Sequence, residues 1–138
     1  EFNGDEHYTA DTSVGSSIFG LFYFGVLPAD DEKVRKTMQA VEERLWINTK
    51  IGGVTRFEND GYMRVTKEVT GNPWFICTLW LADFYIASAK SAEDLGKALC
   101  ILEWVTMHAL PSGVLAEQVN PLDGSHVSVS TLTGSHST

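Results

Sequence analysis

The chain has 138 residues, a formal charge of −8 and two cysteines. That length fits a single domain, and a chain of this size buries about two-thirds of its unfolded surface, enough for a core. The acidic balance, with no extended basic run, excludes a nucleic-acid footprint, disfavours an anionic membrane surface and fits a neutral or polar ligand better.

Residues 1 to 10 are polar and are expected to carry little order. The chain opens Glu1-Phe2-Asn3 without a Met and without the basic start and apolar core of a signal peptide, so it reads as a processed or excised piece. No apolar run reaches the roughly 18 residues that span a bilayer. With few cysteines and no signal, a cytoplasmic location is expected.

The first helix is predicted in "DTSVGSSIFGLFYFGV", capped by Asp11 or Thr12, with the apolar run Ile18 to Val26 buried on most sides. Its three glycines weaken that reading, each by about 1 kcal/mol against Ala. A stronger helix follows in "LPADDEKVRKTMQAVEERLW". Pro28 and Asp30 mark its turn and cap, Asp31 and Glu32 suit the positive end of its dipole, and Val34, Met38, Val41 and Leu45 repeat on one face. The stretch from Ile47 to Asn72 has four glycines and no sustained period, and reads as a long loop with at most a short hairpin.

A third helix is predicted from Pro73 to Ser88, apolar on nearly all faces and so packed between neighbours. A fourth runs from Ala92 to His108, with Ser91 and Asp94 as a near-capping box and Leu95, Leu99, Leu102 and Val105 or Met107 as its inner face. Cys77 and Cys100 lie among apolar residues in these two helices and read as buried free thiols. From Leu115 on the chain reads as loop, and "SVSTLTGSHST" as a helix start that is cut off. The order is a repeated two-helix unit, which cannot bury its faces alone and stacks into arrays or closed rings. Long loops at one end of such hairpins are where a site belongs.

The loops carry suitable chemistry. Arg56, Glu58 and Asp60 lie in "RFEND", Trp74 stands at a helix N-terminus in "GNPWF", and Glu117 and Gln118 lie in "SGVLAEQVNP". Guanidinium and carboxylates bind adjacent sugar hydroxyls, and an indole covers an apolar ring face. Each has a plainer reading: Arg56 and Glu58 as a surface ion pair worth at most about 1 kcal/mol, Trp74 as core, Glu117 as solvated surface. The four histidines, His7, His108, His126 and His136, show no metal-ligand spacing, and the motifs HExxH, CxxC and GxSxG are absent. No cofactor or metal is expected.

Four stretches together carry a resemblance: "GGVTRFENDGY", "GNPWFICTLWLADFY", "ALPSGVLAEQVNPLDG" and "SVSTLTGSH". In this order they resemble the C-terminal part of glycoside hydrolase family 15, the glucoamylase-like enzymes, and most closely its prokaryotic and archaeal branch. The resemblance implies an all-α fold, helical hairpins closed into an (α/α)6 barrel of which residues 1–138 supply the C-terminal portion, roughly two hairpins of six. It implies an inverting mechanism with two carboxyl groups roughly 6.5–9.5 Å apart, one protonating the glycosidic oxygen and the other activating a water. By the same matching Glu117 is the general base, and Arg56, Glu58, Asp60 and Trp74 contact substrate, an α-glucan or maltooligosaccharide. Two positions depart from the family pattern: Thr131 stands where Pro is usual and Gly134 where Trp is usual. The general acid lies N-terminal to the matched region and has no counterpart here, so the chain is expected to be inactive alone. The alternative is a non-catalytic helical module for carbohydrate binding or self-association. Open hairpin edges predict a homo-oligomer.

Overall fold

The computed structural model describes residues 11–127, and among these every regular element is helical. A 3-10 turn at Ser16–Phe19 leads into α1 (Gly20–Tyr23), followed by α2 (Glu32–Leu45), α3 (Phe75–Ser88) and α4 (Gly96–His108). The cut-off helix start, with Thr131 and Gly134, lies outside the described residues.

Helix α2 follows its sequence closely. Asp31, rather than Asp30, caps it: its carboxylate accepts from Lys33 N at 2.8 Å. Val34, Met38, Val41 and Leu45 are all buried. Arg44 occupies the last turn, where a cation suits the helix dipole.

The first predicted helix does not form as one element. It splits into the 3-10 turn and the single turn of α1, and its tail is exposed, Phe24 at 76%. Gly25, at φ +71°, closes the turn by donating to the Phe22 carbonyl at 3.0 Å, and a left-handed residue there ends the helix. Asp11 accepts from Ser13 N in a local turn and caps no helix. Phe19 alone of this segment's rings is deeply buried, stacked on Trp80 with centroids 4.2 Å apart.

Helix α3 is buried through Phe75, Cys77, Thr78, Leu81, Ala82 and Phe84 and packs on α4, α2 and the 3-10 turn. Ser91 and Asp94 exchange the predicted reciprocal bonds, but regular α-helix begins only at Gly96. The inner face of α4 is the other apolar stripe. Ala98, Ile101 and Trp104 are buried, whereas Leu95, Leu99, Leu102 and Met107 are exposed. Trp104 fixes this rotation: it packs on Phe75 with centroids 5.2 Å apart and donates to the Ile51 carbonyl at 2.7 Å. Cys77 is buried as expected, but Cys100 lies on the exposed side of α4.

The long connections are ordered by backbone pairing. In the first, the anticipated hairpin is reduced to one bridge, Trp46 to Val54, with Ile47 N donating to Gly53 O at 2.8 Å and Thr55 N to Leu45 O at 3.0 Å. Gly53 is required here: at φ +89°, any Cβ would also meet Pro73 Cβ and Trp104 Cζ2 at 2.7 Å. These loops gather where α2 ends, α3 begins and α4 ends.

Candidate functional site

Pro73, Trp74 and Phe75 form the centre of this end of the molecule. On one side Trp74 N donates to Val54 O at 2.8 Å. On the other, Phe75 N donates to Glu117 O at 3.2 Å and Val119 N to Pro73 O at 3.0 Å. Trp74 is the N-cap position of α3 and offers no side-chain cap, so the Glu117 carbonyl takes up one of the helix's unpaired N–H groups. Two loops distant in sequence are thereby fixed to the same three residues.

The RFEND segment presents its guanidinium over this centre. Arg56 donates to Asp60 through two parallel bonds, Nε to Oδ2 at 2.6 Å and Nη2 to Oδ1 at 2.7 Å. Asp60 is 1% exposed. The Arg56 guanidinium lies 4.4 Å from the Trp74 ring centroid, 5.1 Å from Tyr62 and 5.3 Å from Phe57. Burial pushes the Asp60 carboxyl up, but the bonds from Arg56 and Tyr62 N and the nearby arginine charges outweigh it and hold it below the ordinary value. Asp60 in turn raises the Arg56 guanidinium above its own ordinary value. The site thus holds a permanent cation, clamped in plane and stacked on an indole.

Glu58 stands apart from that cluster. Arg44 donates to its carboxylate from Nε at 2.9 Å and Nη2 at 2.6 Å, and Val14 N donates to Oε2 at 2.8 Å. The surface-pair reading of Arg56 with Glu58 is therefore replaced by two separate pairs, Arg56 with Asp60 and Arg44 with Glu58. Asn59, at φ +60°, is the turn that separates them. Glu58 ties α2, the RFEND loop and the segment before the 3-10 turn together.

The EQ loop meets the platform through Gln118, which bridges Trp74 and is fully buried. Asn72 Nδ2 donates to Gln118 Oε1 at 2.8 Å and to Met63 O at 2.9 Å, and Asn72 Oδ1 accepts from Val65 N at 3.1 Å. Glu117, the preceding residue, is partly exposed. Arg56, Asp60, Trp74 and the Glu117 loop are thus brought to one end of the bundle. Sequence reasoning gave no role to Tyr62, Asn72 or Arg44. Asn72 lies inside the quoted GNPW stretch, but its partners are nine and 46 residues away.

Three buried polar atoms lack a hydrogen-bond partner among the described residues: Thr55 Oγ1, Trp74 Nε1 and Gln118 Nε2. All three belong to the segments that meet here. A cavity of about 880 Å³ lies at the opposite end of the helices, beside Arg35, Glu42, Tyr85 and Lys97, and none of the site residues lines it. Among the described residues no group of three or more His, Cys, Asp or Glu could hold a metal ion, and no helix is long and apolar enough to cross a membrane.

The chain is similar to an uncharacterized glycosyl hydrolase of Methanocaldococcus jannaschii, 32% identical over 120 residues, which cover 80% of this chain and 18% of that protein. The fold is similar to a bacterial glucoamylase solved in complex with acarbose, with a TM-score of 0.63 and 27% identity over 83% of this chain and 17% of the other. The chain therefore spans less than a fifth of the length of either relative. The bacterial glucoamylase also accounts for the architecture: four helices with long loops at one end form part of an (α/α)6 barrel. The family model for glycosyl hydrolases family 15 matches residues 11–103, a span that contains Arg56, Asp60 and Trp74 and ends before Glu117. This chain belongs to glycosyl hydrolase family 15.

Proposed function

We propose that this chain is the C-terminal portion of an (α/α)6 catalytic domain and contributes the general-base half of an inverting site that releases glucose from α-glucosides. Glu117 is the base, activating a water on the face of the sugar opposite the leaving group. Arg56 and Asp60 meet the sugar's hydroxyls and Trp74 its apolar ring face. Glu58 acts on substrate only indirectly, since its carboxylate is engaged by Arg44 and Val14 N. The observation that carries this reading is the joining of the two loops: the Arg56–Trp74 platform and the Glu117 backbone are fixed to the same residues, Pro73 to Phe75. The neighbour crystallised with acarbose supports a carbohydrate ligand.

The chain alone is proposed to be inactive, because the general acid lies outside it. The test is made in the full gene product, with maltooligosaccharides as substrate. Glu117→Gln is expected to lower kcat by about 10²- to 10⁴-fold, and the wild type to release the β-anomer of glucose, followed by NMR during the first turnovers. Release of the α-anomer, or a Gln variant as active as wild type, rules the mechanism out.

A second reading, self-association, is favoured by one observation. Leu95, Leu99, Leu102 and Met107 of α4 and Phe24 and Val26 beyond α1 are exposed together with little polar cover of their own. On this reading the isolated chain forms oligomers that Leu99→Glu weakens. A monomer by light scattering at millimolar concentration counts against it.

A further inference from the structure

We propose that Asn72 is a positioning residue: its side-chain amide sets which way the Gln118 amide faces and seats the Glu117 loop against the Arg56 platform. The proposal rests on the reading of Glu117 as general base.

The argument starts from what each partner is able to do. Val65 N–H only donates, so the Asn72 atom it meets at 3.1 Å is the oxygen. The Met63 carbonyl only accepts, so the Asn72 atom at 2.9 Å from it is the nitrogen. The Asn72 amide has one permitted orientation, fixed from both ends by backbone. Its nitrogen also faces Gln118 at 2.8 Å, and therefore faces the oxygen of that amide. An isolated glutamine amide turns over between two nearly equivalent states. Here one backbone donor and one backbone acceptor, relayed through Asn72, select a single state.

The selection has a cost that packing alone does not explain. Gln118 is fully buried, and the chosen orientation leaves its Nε2 without a partner among the described residues. Met63, the other recipient of the Asn72 nitrogen, holds φ +51°, a left-handed conformation uncommon for a side chain of its kind. Two backbone bonds, Phe75 N to Glu117 O and Val119 N to Pro73 O, already fix the main chain on either side of Gln118. Asn72 adds the side-chain tie. It comes from the loop that also carries Tyr62, whose ring lies 5.1 Å from the Arg56 guanidinium. Substrate platform and base loop therefore share one amide.

The test combines a spectroscopic signature with a kinetic split. In the wild-type chain labelled with ¹⁵N, both Asn72 Nδ2 protons are expected to exchange slowly and to show cross-relaxation to the Gln118 side chain. A rapidly exchanging Asn72 amide, or one without contact to Gln118, overturns the proposal without any variant. In the full gene product, Asn72→Asp keeps the shape and the acceptor for Val65 N but removes both donors, and Asn72→Ala removes the amide altogether. Both are expected to lower kcat on maltooligosaccharides by about 10- to 100-fold while KM stays within about threefold, the pattern of a displaced reacting group. Glu117→Gln is measured beside them. If it abolishes activity while both Asn72 variants keep kcat within about twofold of wild type, the positioning role is wrong and the base assignment stands. If Glu117→Gln retains activity, the base assignment itself is wrong, and slow Asn72 exchange then shows a structural tie and no catalytic positioning.

Discussion

Asp60 is held by Arg56 at 2.6 and 2.7 Å and lies almost wholly out of water, while the Arg56 side chain is 34% exposed. Exposed pairs contribute at most about 1 kcal/mol, and breaking a fully buried pair costs about 3–5 kcal/mol. This pair is closed at its acid end and partly open at its base end, so Asp60→Asn is expected to cost about 2–4 kcal/mol. Arg56→Met removes the charge and keeps an aliphatic stem against the indole. Combining the two should reveal a coupling of about 1.5–3 kcal/mol. Urea unfolding followed by tryptophan fluorescence measures all four corners of the cycle, provided the denaturant slope stays constant. A coupling below about 0.5 kcal/mol would place the pair among ordinary surface ion pairs, and the reasoning that treats it as a clamp would fail.

Acid gives a related test: because the folded-state value of Asp60 lies below its unfolded value of about 3.9, its contribution is complete above that pH and is lost as pH falls through the lower folded value. Acid unfolding of Asp60→Asn should therefore be less steep than that of wild type. A Cβ on Gly71 would lie 2.2 Å from Thr55 Oγ1 and 3.1 Å from Asp60 Cβ, so Gly71→Ala should cost about 1–3 kcal/mol by overpacking. Gly61→Ala, which meets nothing within 4 Å, should be neutral or slightly stabilising, and adding Thr55→Ala to Gly71→Ala should recover part of the loss. A thiol reagent should modify Cys100 in the folded chain and reach Cys77 only on unfolding, since burial both covers that thiol and pushes it up to about 11.

The legible parts of the sequence are those where apolar and polar residues contrast. Helix α2 has one apolar stripe among charges, and its whole inner face is readable from Val34 to Leu45. Helix α4 has two apolar stripes, and periodicity does not choose between Leu95-Leu99-Leu102 and Ala98-Ile101-Trp104. The choice depends on Phe75 and the Ile51 carbonyl, which are 29 and 53 residues from Trp104. The first helix fails for a local reason, the left-handed Gly25 that follows a run hydrophobic enough to look buried. In the RFEND loop composition names the right side chains, but the turn at Asn59 decides that Asp60, and not Glu58, reaches Arg56.

The site is illegible for a deeper reason, visible in which polar residues are buried. Thr55, Asp60, Asn72, Thr78 and Gln118 are all withdrawn from water, and all lie in or beside the segments that meet at Trp74. A hydrophobic pattern treats each of them as surface, because burying a polar group costs free energy unless a partner meets it. Most of them are met: Asp60 by Arg56, Asn72 by three partners, Thr78 by Val54 N and the Trp74 carbonyl. Those partners come from loops that approach one another only in the folded chain. The rule relating sequence to burial thus breaks down at the end of the bundle where Arg56, Trp74 and Glu117 are gathered, as expected where local preference yields to a site.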